Sequence, residues 1–360
     1  MESLACPPVT IPALIEEILS GRMPESAHLE VALEEILSGT VEEARIAGLL
    51  VALRSRPPEG KVLAALARTL LRHALPVTCT ARPVIDTCGT GGDGAGTFNV
   101  STATALVVAA CGGAVAKHGN RAVSSRTGSA DVLEALGVRI DLSPEEATVL
   151  LDAAGFAFLF APRFQPRLEA VGKIRRSLGI PTAMNLLGPL TNPARPPCRL
   201  VGVSDPRLTF VMAEALLELG VESAAVIHCQ GLDEIGLHHV TRGHRIRDGR
   251  IVPYAVDPAQ HGVGHRDRRV LAGGDAGTNA GIILTLLRGE QGPRTDIVLL
   301  NAAVACELAG LTGSVAEGLD LAMSRIADGT ALRVLERVRE TSERLTAAPR
   351  RPRAEGEEVR

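Results

Sequence analysis

Hydrophobic and polar positions follow two different rhythms along the chain. Over residues 10–75 the apolar positions recur at helical spacing. Leu14, Ile15, Ile18 and Leu19 form one stripe that stops at Gly21, and Val31, Ile36 and Leu37 belong to a second helix that stops at Gly39. The same six residues, Glu-Glu-Ile-Leu-Ser-Gly, close both helices at 16–21 and 34–39. One repeated helix ending with no long period does not make a solenoid. Thr40 and Glu43 fit a capping box for a third helix whose apolar face carries Ile46, Leu49, Leu50 and Leu53, and a fourth helix is predicted over 61–71. No strand pattern interrupts this stretch, so residues 1–78 are expected to form a small N-terminal helical domain.

From Pro83 onward the pattern changes to short apolar runs between helices. Strands are predicted at 83–86, 113–116, 138–140, 156–160, 199–203 and 224–228. Helices are predicted from Ser101 to Cys111 and over 131–136, 206–219, 280–287, 295–308 and 315–328. Another is capped by Ser143, with Pro144 at its first position and Glu145-Glu146 in its first turn. Residues 236–270 read as excursion strands and loops. Alternating strand and helix predicts an α/β fold with a mostly parallel central sheet over 79–345. The residues after Leu345 are charged and proline-bearing, so 346–360 is expected to be a disordered tail. In such a sheet the ligand loops lie at the carboxyl ends of the strands.

Composition narrows the class. The chain has 360 residues, 46% of them hydrophobic, enough for a large core in two domains. A net charge of −3 from well-mixed basic and acidic residues argues against nucleic acid and against an acidic membrane as partner, so any polyanion site must be local. Seven cysteines lie scattered without a C-x-x-C pair, the usage of a reducing compartment. Cys88 sits among glycines but has no evident base beside it, and a small buried strand-end thiol explains it better than a nucleophile. The first residues lack the basic start and apolar core of a signal peptide, and the apolar run 103–116 is broken by glycines and too short to span a membrane. A soluble cytoplasmic protein is expected.

The chemistry gathers between Asp86 and Asp131. Gly89-Thr90-Gly91-Gly92-Asp93 and Asn99-Val100-Ser101-Thr102 are followed by Lys117-His118-Gly119-Asn120-Arg121 at the predicted end of the next strand. Glycines allow close backbone approach and free N–H groups cup anions, while hydroxyls and cations complete a phosphate cradle. Gly89, Gly91 and Gly94 satisfy G-x-G-x-x-G, but a further loop intervenes before the helix and the next strand ends in Lys117-His118 rather than an acid, so a dinucleotide fold does not follow; no Walker lysine follows either. Asp233-Glu234 just past a predicted strand suits magnesium, although an adjacent acidic pair by itself is more often a solvated turn. Residues 173–190 add Arg175 and Asn185-Leu186-Leu187-Gly188-Pro189-Leu190.

In order and spacing, these motifs closely resemble the anthranilate phosphoribosyltransferases, over residues 10–340. The resemblance implies a helical domain, to which a segment near 170–190 returns, and an α/β domain with the active site between them, in a homodimer joined through the helical domains. It implies transfer of the 5-phosphoribosyl group from 5-phosphoribosyl 1-diphosphate to the amine of anthranilate in tryptophan synthesis, with two magnesium ions. The donor contacts it implies are Gly89, Gly92, Asp93, Thr97, Asn99, Val100, Ser101, Thr102, Lys117, His118, Gly119, Asn120, Arg121, Ala122, Val123, Ser124, Ser125 and Ser129. The acceptor contacts are Gly89, His118, Asn120, Arg175 and Pro189, with Arg175 on the carboxylate. Ser101 would ligate one ion, Asp233 and Glu234 the other. No side chain is assigned as acid or base, because an aromatic amine is already nucleophilic and positioning dominates. One departure stands out: Gln165-Pro166-Arg167 replaces the common His-Pro-Ala of the acceptor channel. A paralogue with another aromatic acceptor therefore stays open. A nucleoside phosphorylase has a different basic loop, and a nucleic-acid-binding relative would show a basic stripe and eroded donor motifs.

Overall fold

The computed structural model describes residues 10–80, 83–122, 126–263 and 267–347. The chain begins with four helices, α1 (Ile11–Leu19), α2 (Ser26–Ser38), α3 (Glu43–Arg54) and α4 (Gly60–His73). Their inner faces bury Leu14, Ile18, Leu29, Ile36, Leu49 and Leu63 in one core. Leu19 lies outside the expected stripe and is 62% exposed, because Ile11, Leu14 and Ile18 already cover the inward arc of so short a helix. The expected capping box of α3 does not form. Glu42 occupies the cap position without a side-chain bond, and the Thr40 hydroxyl pairs with Ser38 instead.

Strands and helices then alternate: β1 (Val84–Gly89), α5 (Val100–Ala110), β2 (Ala114–Gly119), α6 (Ser129–Ala135), α7 (Pro144–Ala154), β3 (Phe156–Phe160) and the single turn α8 (Ala161–Phe164). Two helices, α9 (Glu169–Leu178) and α10 (Met184–Leu187), carry the chain back to the bundle, where Val171, Ile174 and Leu187 join its core. There follow β4 (Cys198–Gly202), α11 (Leu208–Glu218), β5 (Ser223–His228), a hairpin of β6 (Thr241–Arg247) and β7 (Arg250–Val256), and four closing helices, α12 (Ala276–Leu287), α13 (Pro293–Leu308), α14 (Val315–Ala327) and α15 (Thr330–Ala347). The charged, amphipathic α15 goes beyond the expected set of helices; its apolar stripe of Ala331, Val334, Leu335 and Val338 docks against α5 and α7. The expected disordered tail falls almost wholly outside the described residues. No described helix is long and apolar enough to cross a membrane.

The strands form one sheet in the order β3-β2-β1-β4-β5-β6-β7, parallel through β5 and antiparallel at the hairpin. The expected strand at 138–140 is absent. The Val138 N–H closes the end of α6 on Leu133 O and the Arg139 N–H donates to the Ser342 hydroxyl, so neither is left for a ladder. Lys117, His118 and Gly119, expected in a loop, continue β2 because they pair with Phe158, Leu159 and Phe160 of β3. The helix at Ser143 forms as predicted, with a reciprocal capping box to Glu146.

Strand order reverses at β1 and β4, where the chain has run outward through β2 and β3 and crosses back. A crevice opens at their carboxyl ends. Both strands end in glycine, and both glycines lie under the turn that carries Asp233. A Cβ on Gly89 would stand 2.6 Å from Asp233 Oδ2, and one on Gly202 would fall on the Asp233 backbone carbonyl. Gly202→Ala is expected to displace that turn and lower stability by roughly 1–3 kcal/mol, the range for forced overpacking. Urea unfolding at unchanged m-value measures it, and an unshifted midpoint would show that the turn yields freely.

Candidate functional site

The glycine loop leaves β1 and is pinned at both ends. At its start Thr90 N–H donates to Gly202 O at 2.9 Å; at its end Phe98 N–H donates to Leu271 O and Gly273 N–H to Gly96 O. Between these, Gly91, Gly92, Gly94 and Gly96 all take positive φ, a run that side-chain-bearing residues would strain. The loop delivers Asn99 to the start of α5, so that Ser101 and Thr102 occupy the first helical turn.

The Asp233-Glu234 turn lies across this loop. Asp233 Oδ2 accepts the Gly91 N–H at 2.9 Å, Asp233 N–H points to Asp93 Oδ2 at 3.4 Å, and Glu234 Oε1 accepts the Ser101 N–H at 3.1 Å. The turn is supported from behind by residues the sequence did not single out. His228 accepts the Gly231 N–H on Nε2 and donates its Nδ1 proton to Val203 O, while Asn301 both donates to and accepts from the Ile235 backbone. Burial and the neighbouring Asp93 carboxylate push the Asp233 carboxyl up to about 7. Burial and Asp233 push Glu234 well above the usual range, and Lys117 opposes that. Lys117 is buried, and its Nζ donates to Thr87 O at 2.5 Å and to Ser101 Oγ at 3.2 Å.

A closed ring of hydrogen bonds fixes the loops to one another. Asn279 Nδ2 donates to Asn99 Oδ1, Asn99 Nδ2 to Thr127 O, Thr127 Oγ1 to Gly274 O, and Gly274 N–H to Asn279 Oδ1. Asn279 and Asn301 escaped the sequence reading, though an amide inside an apolar helix was a readable signal. The ring also uses the Asn99 side chain as scaffold. Val100 and Thr102 are buried, and the Arg121 guanidinium holds Asp131 and Glu134 over the Phe160 ring. Gly119 and Ser129 pack against each other, Asn120 and Ala122 stay at the loop, and Thr97 bridges to Ala272. Val123, Ser124 and Ser125 lie outside the described residues.

On the other side of the crevice, Arg175 at the end of α9 donates to Asn185 Oδ1 at 3.2 Å. It is largely buried and meets no carboxylate among the described residues, and burial lowers its pKa. His118 is 7% exposed. Its Nδ1 faces Gly188 O at 3.2 Å, so the proton sits there and Nε2 is left as a buried acceptor without a partner among the described residues. Burial lowers its pKa, which keeps the ring neutral. Pro189 is buried beside it. Cys88 is a thiol, since burial and Asp86 raise its pKa.

A divalent cation fits this chemistry. Among the described residues no three acidic, His or Cys side chains make a ready cage, but two carboxylates beside a hydroxyl suit magnesium, which keeps its waters and shares phosphate oxygens.

Residues 12–74 match the helical bundle domain and residues 81–332 the a/b domain of the glycosyl transferase family. Anthranilate phosphoribosyltransferase of Symbiobacterium thermophilum is 44% identical over 336 residues, covering 93% of this chain and 98% of that protein. The crystal structure of anthranilate phosphoribosyltransferase from Thermus thermophilus matches with a TM-score of 0.86 at 41% identity, over 92% of this chain and 99% of that one. The enzyme of Saccharomyces cerevisiae, in complex with PRPP and Mg, matches with a TM-score of 0.85 at 28% identity, over 93% and 98%. Its complex with 4-fluoroanthranilate matches with a TM-score of 0.83 over the same shares.

Because the folded pKa of Asp233 lies at about 7, above its ordinary value of about 3.9, folding favours the protonated form. The stability it contributes is full below that ordinary value and is lost as pH rises through 7. A cation restores it by competing with the proton. Magnesium is therefore expected to raise Tm more at pH 8 than at pH 6, and Asp233→Asn with Glu234→Gln to abolish the increment. Differential scanning fluorimetry checks this; an increment independent of pH would count against the assignment.

Proposed function

The chain belongs to the anthranilate phosphoribosyltransferases, and we propose that it transfers the 5-phosphoribosyl group of 5-phosphoribosyl 1-diphosphate to the amine of anthranilate, forming N-(5-phosphoribosyl)anthranilate and diphosphate for tryptophan synthesis. The observation that carries the reading is the meeting of three segments at the β1/β4 switch point, where Asp233 and Glu234 bind the backbone of the glycine loop and of α5.

The donor sits in the glycine loop and the basic loop, held by the backbone N–H groups of Gly92, Asp93 and Gly94 and by Lys117, Ser101 and Ser129, while the Thr90, Gly91, Arg121 and Ala122 N–H groups stay bonded within the protein. Breaking the C1′–oxygen bond sends its electron pair to diphosphate and leaves positive charge on the ribose; the anthranilate nitrogen then supplies the new bond and gives up a proton. Prepositioned N–H groups stabilise the leaving charge, each about 3–4 kcal/mol in comparable sites. Magnesium, when bound, neutralises charge on the diphosphate. Ser101 holds one ion and the Asp233-Glu234 pair a second, with Ser101 Oγ keeping a lone pair beyond its bond from Lys117. The acceptor carboxylate pairs with Arg175, which has no carboxylate partner among the described residues, and His118 and Pro189 line its ring. The division near residue 78, the cytoplasmic setting and a homodimer through the bundle belong to the same reading. Exposed Leu19, Val31 and Val51 supply apolar surface there.

Gln165 does not demand another acceptor. It is 6% exposed and its Nε2 donates to Thr191 O at 2.8 Å, a support for the acceptor wall. Arg167 is exposed on the turn that follows.

Phosphoribosyl diphosphate, magnesium and anthranilate are expected to give a product of the combined mass less diphosphate, and substituted benzoates much less of theirs. Preference for another aromatic amine would instead favour a paralogue. Arg175→Ala is expected to raise the KM of anthranilate about tenfold or more while the donor's KM stays within about twofold, because a charge-assisted bidentate pair is lost from one substrate alone. Equal effects on both would remove its role.

A further inference from the structure

The wall formed by residues 187–192 is held by its carbonyls. Thr191 Oγ1 donates to Leu187 O at 2.9 Å, His118 Nδ1 to Gly188 O, Arg199 Nη1 to Pro189 O at 2.6 Å, and Gln165 Nε2 to Thr191 O. Asn192 finishes the wall by donating to Asp86 Oδ2 at 2.8 Å and Ala116 O at 2.7 Å. Apart from Thr191 and Asn192 the donors come from separate elements, β2, β4 and the end of α8, so the wall's position is set by the sheet and not by its own short helical turns.

Arg199 is the unusual member. It is 2% exposed, in the middle of β4, directly beside Asp86 of β1 in the parallel register, and Asp86 is wholly buried. Alternation puts Asp86, Cys88, Arg199 and Val201 on the same sheet face, the one that meets the wall and the helical bundle. Burial works against the Arg199 charge and Asp86 supports it. Asp86 Oδ1 has no hydrogen-bond partner among the described residues. Asp86 acts on Arg199 as a neighbouring buried charge, and buried charges of opposite sign are a poor source of stability, since well-packed apolar residues serve as well or better. Arg199 directs its charge to two carbonyls: Nε donates to Pro196 O at 3.4 Å, and Nη1 makes the shorter bond to Pro189 O, the proline beside His118, whose Nε2 has no partner among the described residues.

We propose that Arg199 is a positioning residue for the acceptor: with Asp86 as its counter-ion, it sets the depth of Pro189 and so the fit of the aromatic ring. The proposal rests on the functional reading above. Among the described residues no other side chain of comparable reach bears on Pro189, because Gln165 and His118 are committed to Thr191 and Gly188.

The test compares wild type with Arg199→Met, Arg199→Lys and the double variant Asp86→Asn/Arg199→Met, with Tm and both KM values measured for each. Arg199→Met leaves Asp86 buried without a counter-charge and is expected to lower Tm; the double variant removes both charges and recovers much of it. Both are expected to raise the anthranilate KM about tenfold, the loss of one charged hydrogen bond, with the donor KM within about twofold. Arg199→Lys keeps a charged donor and is expected to rescue most of the anthranilate KM. A double variant with recovered Tm and a wild-type anthranilate KM overturns the proposal, as does an equal rise in both KM values or an Arg199→Lys variant no better than Arg199→Met. If Arg199→Met does not fold, the double variant and Arg199→Lys decide alone. Wild-type protein inactive on anthranilate overturns the functional reading itself, and the positioning role with it; an active wild type separates the two failures.

Discussion

The turn bearing Asp233 rests directly on the ends of β1 and β4, and the site depends on that contact. Two parallel strands reach the switch point, and the Asp233 side chain leaves no room for a Cβ at Gly89 while its backbone leaves none at Gly202. With the turn seated there, Asp233 and Glu234 can accept the N–H groups of Gly91 and Ser101. Acidic side chains thus engage the backbone donors of the cradle. The same geometry crowds Asp93, Asp233 and Glu234 together with Lys117 opposing their charge, a balance that suits a cation.

The sheet separates two kinds of buried charge. Thr87 and Lys117 lie on the side of the glycine loop and α5. Asp86, Arg199 and His118 face the wall at 187–192. Neighbouring residues on one strand therefore bear on different walls of the crevice, because successive side chains point to opposite faces. Charged groups so deep in the sheet are costly unless bonded, and each of these is anchored to backbone or to another side chain.

Contact between bundle and sheet is continuous. Residues of α9 and α10 return to the bundle core, and Glu214 of α11 accepts the first N–H of α4 at Gly60. Arg175 is thereby carried on an element that belongs to the bundle side, while the donor loops belong to the sheet. A transfer reaction at this boundary needs both halves in register, which an interface of small glycine, Glu214 and apolar contacts provides.

Periodicity and punctuation alone identified the helical start, the alternating α/β body and the Ser143 cap, since each depends on neighbours within a few residues. The motifs marked Gly89–Asp93, Ser101, Lys117-His118, Arg175 and Asp233-Glu234 as candidates, and the fold brings Gly91, Ser101, Lys117, Asp233 and Glu234 together. What the chain could not declare locally was decided by distant partners. Val138-Arg139-Ile140 has strand composition, yet α6 and α15 take its N–H groups first. Lys117 reads as loop, yet β3 extends the ladder through it. Arg121 reads as a free cation, and only the fold shows that Asp131 and Glu134 pair with it. The supports supplied by His228, Asn279, Asn301 and Arg199 join residues far apart in sequence, and a hydrogen bond across such a gap exists only once the sheet has closed.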